Sequence, residues 1–333
     1  MIDSNDFQKA IELVNKSSNV LITTHTRPDG DACGSMVALA DTLTTLGKNV
    51  KHLMLSPVPQ WYEFLFTEKA AVLGEDISVE QLQQGKLIDP DLIIIVDTNS
   101  NNQLSEISEY LKQNDKPVLV IDHHVTTDNL GSVELVDSSA AAAGLIVFDF
   151  LQFAGWHITK EIAQALFVAI TTDTGWFQFD NTDSRVLRTT GELVDFGINT
   201  TQIHHDIYQN FSPQRFKLMT AMLNTLELHF DGRYAAQQLT QQDFKETGAE
   251  YSDTENLIDQ CRKIGSVQAA ALFVELADGQ IKCSLRSSSG IDVRIIAQKF
   301  GGGGHVKASG AHLPGPIENA KQLIFDAFGE QFG

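Results

Sequence analysis

Five aspartates and three histidines stand where apolar runs give way to polar loops. His25, Asp29 and Asp31 lie within VLITTHTRPDGDACGSMV at 20–37. Asp97 closes the run LIIIV, Asp122-His123-His124 closes VLVI, and Asp173 follows the apolar stretch 160–170. Oxygen and imidazole without thiolate form the ligand set of Mn2+ or Mg2+ rather than of structural Zn2+. Two such cations about 3.5–4 Å apart could share a hydroxide, orient a phosphoryl oxygen and stabilise a leaving oxygen. The loop over 20–37 is expected to supply about half of such a site. Taken singly these residues have plainer readings. Asp97 suits a helix N-cap as well as it suits a ligand. A lone histidine at a strand end is usually structural. Two adjacent histidines beside an acid are less often so, because one imidazole can bind a metal while its neighbour faces a substrate or a proton donor. Cys33, close by in sequence, reads as a packed small residue rather than a ligand.

The elements that must position these residues follow from periodicity. Residues 20–22, 50–55, 91–96 and 117–121 read as strands, and the unbroken aliphatic runs at 92–96 and 118–121 indicate burial on both faces of a parallel sheet. Residues 27–30 read as a turn. Helices are expected over 7–16, 34–46 (ending at Gly47), 140–153 and 160–170, while 61–86 gives no clear pattern. Alternating strands and helices argue for an open parallel α/β sheet, where a crevice forms at the carboxyl ends of the strands. All the ionisable positions are expected at strand ends or loops. Gly175 permits a tight bend, and Trp176 and Phe177 read as packing rather than base stacking.

The texture changes after Gly191. Residues 191–215 read as a partly helical connector, with His204-His205 in a structural or surface role. A helix at 216–228, strands at 233–239 and 269–275, and a helix at 254–264 suggest a second, smaller α/β domain. The domains are therefore expected at 1–190 and 216–333. Within 281–313, four consecutive glycines, Gly301 to Gly304, can bring backbone N–H groups close to an anion. Arg286, on an expected strand, carries a planar charged fork suited to phosphate.

Composition narrows the function classes. The chain has 333 residues and a net charge of −19. A protein that coats long duplex DNA needs a basic face, so no long duplex partner is expected. The charge is uneven: residues 1–190 hold 12 Lys and Arg against 26 Asp and Glu, whereas 261–310 hold 7 against 3. An acidic part for cations and a basic part for an anion would suit a small phosphorylated substrate, although solvated surface charge explains the counts as well. No apolar run reaches the roughly 18 residues of a membrane span. The acidic N-terminus shows no secretory pattern. Three cysteines, Cys33, Cys261 and Cys283, read as free thiols. A cytoplasmic protein with no membrane partner is expected.

The motifs HTRPDGDACGS, IIIVDTN, IDHHVT and TTDTGWF, in this order and spacing, resemble the DHH phosphoesterase superfamily. The stretch holding GGGGH resembles its DHHA1 substrate-binding domain. The resemblance implies that His25, Asp29 and Asp97 hold one cation, and that Asp31, Asp97, His123 and Asp173 hold the second, with Asp97 bridging. It implies that His124 contacts the scissile phosphate or assists the leaving group, and that Asp122 supports the site. It also implies that Arg286, Gly303, Gly304, His305 and Ser309 hold a terminal phosphate or sugar, with the active site in the cleft between the domains. The cations would be Mn2+, with Mg2+ or Co2+ as alternatives. The two-domain layout resembles the nano-RNase group, bifunctional oligoribonucleases and 3′-phosphoadenosine 5′-phosphate phosphatases. The substrates would then be short RNA or DNA oligonucleotides or small nucleotides, and a homodimer is an open expectation. Linear or cyclic dinucleotide hydrolysis, pyrophosphate or polyphosphate hydrolysis on the same site, and nucleotide binding without turnover are the alternatives. Two departures from the superfamily pattern bear on substrate: Asn101-Asn102-Gln103-Leu104 stands where many relatives carry an Arg, and the residues at 140–145 are small or apolar where many carry Ser or Thr and Glu.

Overall fold

Leu92–Val96 and Val118–Asp122 form neighbouring strands in which every residue is buried. Their alternate side chains divide between two cores. Leu92, Ile94 and Val96 face one, and Ile93 and Ile95 face the other. Burial on both faces is why neither run alternates with polar residues. The computed structural model describes residues 2–288, 290–304 and 306–332. It divides into two compact units, Met1–Asn210 and Phe211–Gly333.

The first unit has strands β1 (Asn19–Thr23), β2 (Asn49–Met54), β3 (Ala71–Val72), β4 (Leu92–Val96), β5 (Val118–Asp122) and β6 (Val133–Val136). They form one parallel sheet in the order β3-β2-β1-β4-β5-β6. The order reverses between β1 and β4, which opens a crevice at their carboxyl ends. Its helices are α1 (Ser4–Lys16), α2 (Gly30–Thr45), α3 (Val79–Gln83), α4 (Ile107–Lys112), α5 (Ala143–Ala154), α6 (Lys160–Asp173), α7 (Ser184–Asp195) and α8 (Thr200–Tyr208). Residues of α1, α2, α5 and α6 fill the core on one face, and Leu82, Ile107 and Tyr110 lie in the core on the other.

The second unit has α9 (Pro213–Asn224), β7 (Glu227–His229), β8 (Tyr234–Leu239), α10 (Gln241–Thr247), β9 (Ala269–Glu275), β10 (Gln280–Ser287), α11 (Val293–Lys299), β11 (Gly303–Gly304), β12 (Ala308–Pro314) and α12 (Ile317–Phe332). Its six strands make a mixed sheet in the order β11-β12-β10-β9-β8-β7. Ile281, Cys283 and Leu285 of β10 pack with residues of α11 and α12. Residues of α9 and a 3-10 helix, Leu257–Lys263, cover the other face.

Three local expectations change. The helix expected over 254–264 is two 3-10 turns separated at Asn256, which sits at φ 58. The helix expected over 216–228 ends at Asn224, and the chain continues as β7. Much of the stretch read as a connector is helical: α7 runs to Asp195, α8 follows, and α9 begins at Pro213. Among the described residues no helix is long and apolar enough to cross a membrane.

Candidate functional site

Three strands deliver the strand-end residues. His25 follows β1, Asp97 follows β4, and His123-His124 follow β5, so they gather at the switch point of the sheet. Asp31 and Asp173 are on helices rather than at the strand ends or loops expected, while Asp29 lies in the loop, immediately before α2. Asp29 is the N-cap of α2, its Oδ1 accepting from Asp31 N–H at 3.0 Å and Ala32 N–H at 3.1 Å. The Asp-Gly pair read as a turn therefore starts the helix, four residues before the expected Gly34. Asp31 lies in the first turn of α2, and Asp173 is the last residue of α6. These two helices meet through glycine. A Cβ on Gly30 would overlap the Thr172 side chain, and one on Gly34 would overlap the Ala165 carbonyl oxygen.

Asp97 is the centre of the cluster. It is almost fully buried, with Oδ2 at 3.3 Å from His25 Nε2 and Oδ1 at 3.4 Å from His123 Nε2. His25 Nδ1 lies 2.9 Å from the Thr26 carbonyl and His123 Nδ1 lies 3.2 Å from the Ala140 carbonyl. A carbonyl can only accept, so both rings carry a proton on Nδ1 and turn Nε2 toward the carboxylates. His123 Nε2 is also 3.8 Å from Asp31 Oδ2 and 3.7 Å from Asp173 Oδ2. Ligand atoms of His25, Asp29 and Asp97 lie within 4.8 Å of one another, as do those of Asp31, His123 and Asp173. The cluster brings together all six residues expected to hold cations.

The residues fit divalent cations on structural grounds. Asp97 Oδ1 is buried without a hydrogen-bond partner among the described residues. His123 and His124 approach this oxygen at ion-pair distances of 3.4 and 3.8 Å without completing a hydrogen bond, which leaves it open to a cation. Electrostatics points the same way. Burial disfavours charge on His25, yet its hydrogen bond to Asp97 and the charges of Asp29 and Asp97 outweigh that and push its pKa up to about 10. His123 is likewise pushed up to about 11, against burial, by Asp97, Asp31 and Asp173. Burial beside other carboxylates raises Asp31 well above the usual range and takes Asp173 up to about 7. Asp97 is burdened by burial, but its two imidazole partners hold it below the usual range. Protons are thus retained where cations would otherwise balance the acids.

Asp31 is held by backbone. It accepts from Ala143 N–H at 2.6 Å, Gly144 N–H at 2.9 Å and Ser35 Oγ at 3.0 Å. Helix α5 has no side-chain bond from its own N-cap, Ala142, and the Asp31 carboxylate takes that role from α2. The sequence reading missed these donors. The only signal was the small-residue run at 140–144, which lets backbone approach a buried acid. His124 Nδ1 bonds Asp122 Oδ1 at 2.7 Å, and the same oxygen accepts from His123 N–H at 2.9 Å. Asp122 is fully buried and aligns both histidines. The Asn101–Gln103 turn supports the His25 loop, the Gln103 carbonyl accepting from Thr26 N–H at 2.9 Å. Cys33 is buried in the core. Trp176 packs edge-on with Phe167 and His204.

In the second unit Arg286 lies on β10, with Nε 3.8 Å from Asp259 Oδ1. The glycines are more structured than expected. Gly301 and Gly302 N–H groups donate to Gln298 and Ala297 carbonyls, and Gly303 and Gly304 pair with Gly310 and Ser309. Gly304 sits at φ +134, which strongly favours glycine. Ser309 is registered with Leu285, and Arg286 with Ala308, so the Ser309 and Arg286 side chains leave opposite faces of the sheet. His305 lies outside the described residues.

Comparison with known proteins gives consistent findings. A family model described as the DHH family, N-terminal domain, matches residues 19–170, and one described as the DHHA1 domain matches residues 231–333. A Thermus thermophilus protein named bifunctional oligoribonuclease and PAP phosphatase NrnA is 33% identical over 316 residues, covering 94% of this chain and 90% of that one. A protein of the same name from Mycoplasma pneumoniae is 31% identical over 319 residues, covering 92% and 90%. The crystal structure of an exopolyphosphatase-related protein from Bacteroides fragilis has the same fold, with a TM-score of 0.93 at 23% identity over 100% of this chain and 98% of that one.

Proposed function

The chain belongs to the DHH family, with a DHHA1 domain after the catalytic one, and on that premise we propose that it is a phosphoesterase that hydrolyses short oligonucleotides to mononucleotides, 3′-phosphoadenosine 5′-phosphate to AMP, or both. The observation that carries this is the buried Asp97 carboxylate, set between His25 and His123 with Oδ1 unpartnered among the described residues. His25, Asp29 and Asp97 would hold one divalent cation, and Asp31, His123 and Asp173, sharing Asp97, would hold a second. Mn2+ is the proposed ion. Such a pair supplies a water acidified toward neutrality and positive charge for the phosphoryl oxygens.

The chain's own residues do the rest. Asp97 sets the distance between the two ligand groups. Thr26 and Ala140 carbonyls hold a proton on Nδ1 of each ring and aim Nε2, the nitrogen that would give up its proton to a cation. Asp122 accepts from His124 Nδ1 and, with the charge of Asp97, favours the imidazolium against burial, the form in which Nε2 can donate a hydrogen bond to a phosphoryl or leaving oxygen. Arg286, with Gly303, Gly304 and His305, is proposed to grip the terminal phosphate or sugar of the substrate.

Purified protein with Mn2+ should release mononucleotides from RNA dimers to pentamers, with or without phosphate from 3′-phosphoadenosine 5′-phosphate. Asp97→Ala should lower turnover at least 1,000-fold while keeping the circular dichroism spectrum. Turnover of pyrophosphate or polyphosphate alone would keep the cation site and remove the nucleotide assignment. Nucleotide binding with no product at any Mn2+ concentration would make this a binding module.

A further inference from the structure

Two members of the Asp31, His123 and Asp173 group are referenced to one short stretch of backbone. Ala143 and Gly144 N–H groups hold Asp31, and the Ala140 carbonyl accepts from His123 Nδ1. The third, Asp173, reaches the same stretch through Asn181. The Asn181 side-chain amide donates to the Asp173 carbonyl at 3.1 Å and to the Ala141 carbonyl at 3.3 Å. Asp173 ends α6, so its carbonyl is one that the helix leaves without an internal donor.

We infer that Asn181 is a positioning residue, an amide clamp that keeps Asp173 in register with Asp31 and His123 against the backbone at 140–144. It sets the spacing of the cation site those three residues form, and the inference rests on the two-cation reading above. Both amide protons face carbonyl oxygens, which fixes the orientation of the group, because a reversed amide would place Oδ1 against two other oxygens. Oδ1 itself is buried without a partner among the described residues, so the side chain acts here only as a donor.

The loop that the clamp closes has reason to move. Gly175, Trp176 and Phe177 follow Asp173 at φ 55, 56 and 66. Two bulky residues in the left-handed region are strained and persist only where the surroundings hold them. Packing of Trp176 on Phe167 and His204 holds the middle of this loop. Asn181 holds its far end, where the chain returns to the helix terminus. An ordinary helix cap would stabilise α6 and leave cation affinity alone, and that is the point of difference.

The test is Mn2+ titration followed by electron paramagnetic resonance, without substrate, on wild type, Asn181→Ala and the isosteric Asn181→Asp. Wild type should bind two ions. In the variants one ion should bind as before and the other 10- to 100-fold more weakly, the usual penalty for losing a group that orients a ligand. Turnover should fall at limiting Mn2+ and return at saturating Mn2+, with KM for an RNA dinucleotide unchanged. Two ions bound as in wild type by whichever variants fold would overturn the inference alone, as would turnover that stays lost with both ions bound. If Asn181→Ala fails to fold, the Asn181→Asp titration decides. Wild type binding fewer than two ions would overturn the two-cation reading and this inference with it.

Discussion

Asp97 takes its place between two histidines through its backbone as much as its side chain. It leaves β4 at φ 59, a left-handed conformation that aspartate tolerates better than most residues, and its N–H is held by the Ile121 carbonyl at 2.9 Å. A conformation of this kind at the end of a buried strand persists because the Ile121 carbonyl and the two imidazoles hold it. A different economy governs His52 on β2, opposite Ile22 and edge-on to Phe66. Its Nε2 is buried without a partner among the described residues, and burial with a nearby Lys51 lowers its pKa from 6.5 to about 4. The folded protein therefore keeps this ring neutral where the unfolded chain would protonate it. Above pH 6.5 the group has no effect. As pH falls from 6.5 toward 4 the unfolded state takes up a proton the native state refuses, and stability drops, by up to about 3 kcal/mol. Urea unfolding of wild type and His52→Phe at pH 7 and pH 4.5 should show wild type losing more stability than the variant. Equal losses would mean that His52 is protonated in the folded protein. Acids and imidazoles at strand ends were legible in the sequence because such chemistry demands those side chains. The Ala143 and Gly144 N–H groups and the Ala140 carbonyl were not, because every residue owns such groups and only the fold aims them.

The crossing of α2 and α6 is where packing decides whether Asp31 and Asp173 can share a site. Gly34 has the Ala165 carbonyl oxygen where a Cβ would stand, and Ala169 closes the other side at 2.9 Å. Alanine in a helix is favoured over glycine by about 1 kcal/mol. Overpacking against backbone costs about 1–3 kcal/mol, and a carbonyl oxygen in a helix cannot rotate aside, so the clash should win. Gly34→Ala should lower the melting temperature and weaken one of two Mn2+ ions more than the other, because it separates the helices that carry Asp31 and Asp173. A variant as stable as wild type with unchanged Mn2+ affinity would show that the helices slide freely. The sequence revealed the two central strands, since continuous aliphatic runs bury only between layers. It hid the start of α2, because Asp29-Gly30 serves a turn and an N-cap equally well. The short elements Ala71–Val72 and Val79–Gln83 escaped notice because two to five residues carry no period.

Each compact unit has the means to fold by itself. The first has a parallel sheet with an apolar core on either face, and the second has a mixed sheet packed in the same manner. At 210 and 123 residues both are of ordinary domain size. Most of the net acidic charge, 29 Asp and Glu against 12 Lys and Arg, and all eight candidate cation and catalytic residues belong to the first unit. The second carries Arg286, the glycine strand and the basic stretch 261–310. This distribution suits the proposed roles, since cations are attracted to clustered acids and phosphates to fixed positive groups. Residues 1–210 expressed alone should then fold and bind two Mn2+ ions with affinities close to those of the whole chain, because every proposed ligand and every backbone group that orients one is present. Their hydrolysis of RNA dinucleotides should show KM raised at least tenfold, because the groups proposed to grip the phosphate or sugar are gone. Calorimetry of Mn2+ binding and steady-state kinetics on the fragment would measure both. A folded fragment that binds fewer than two ions would bring a residue of the second unit into the cation site, and one with unchanged KM would remove Arg286 and the glycine strand from substrate binding.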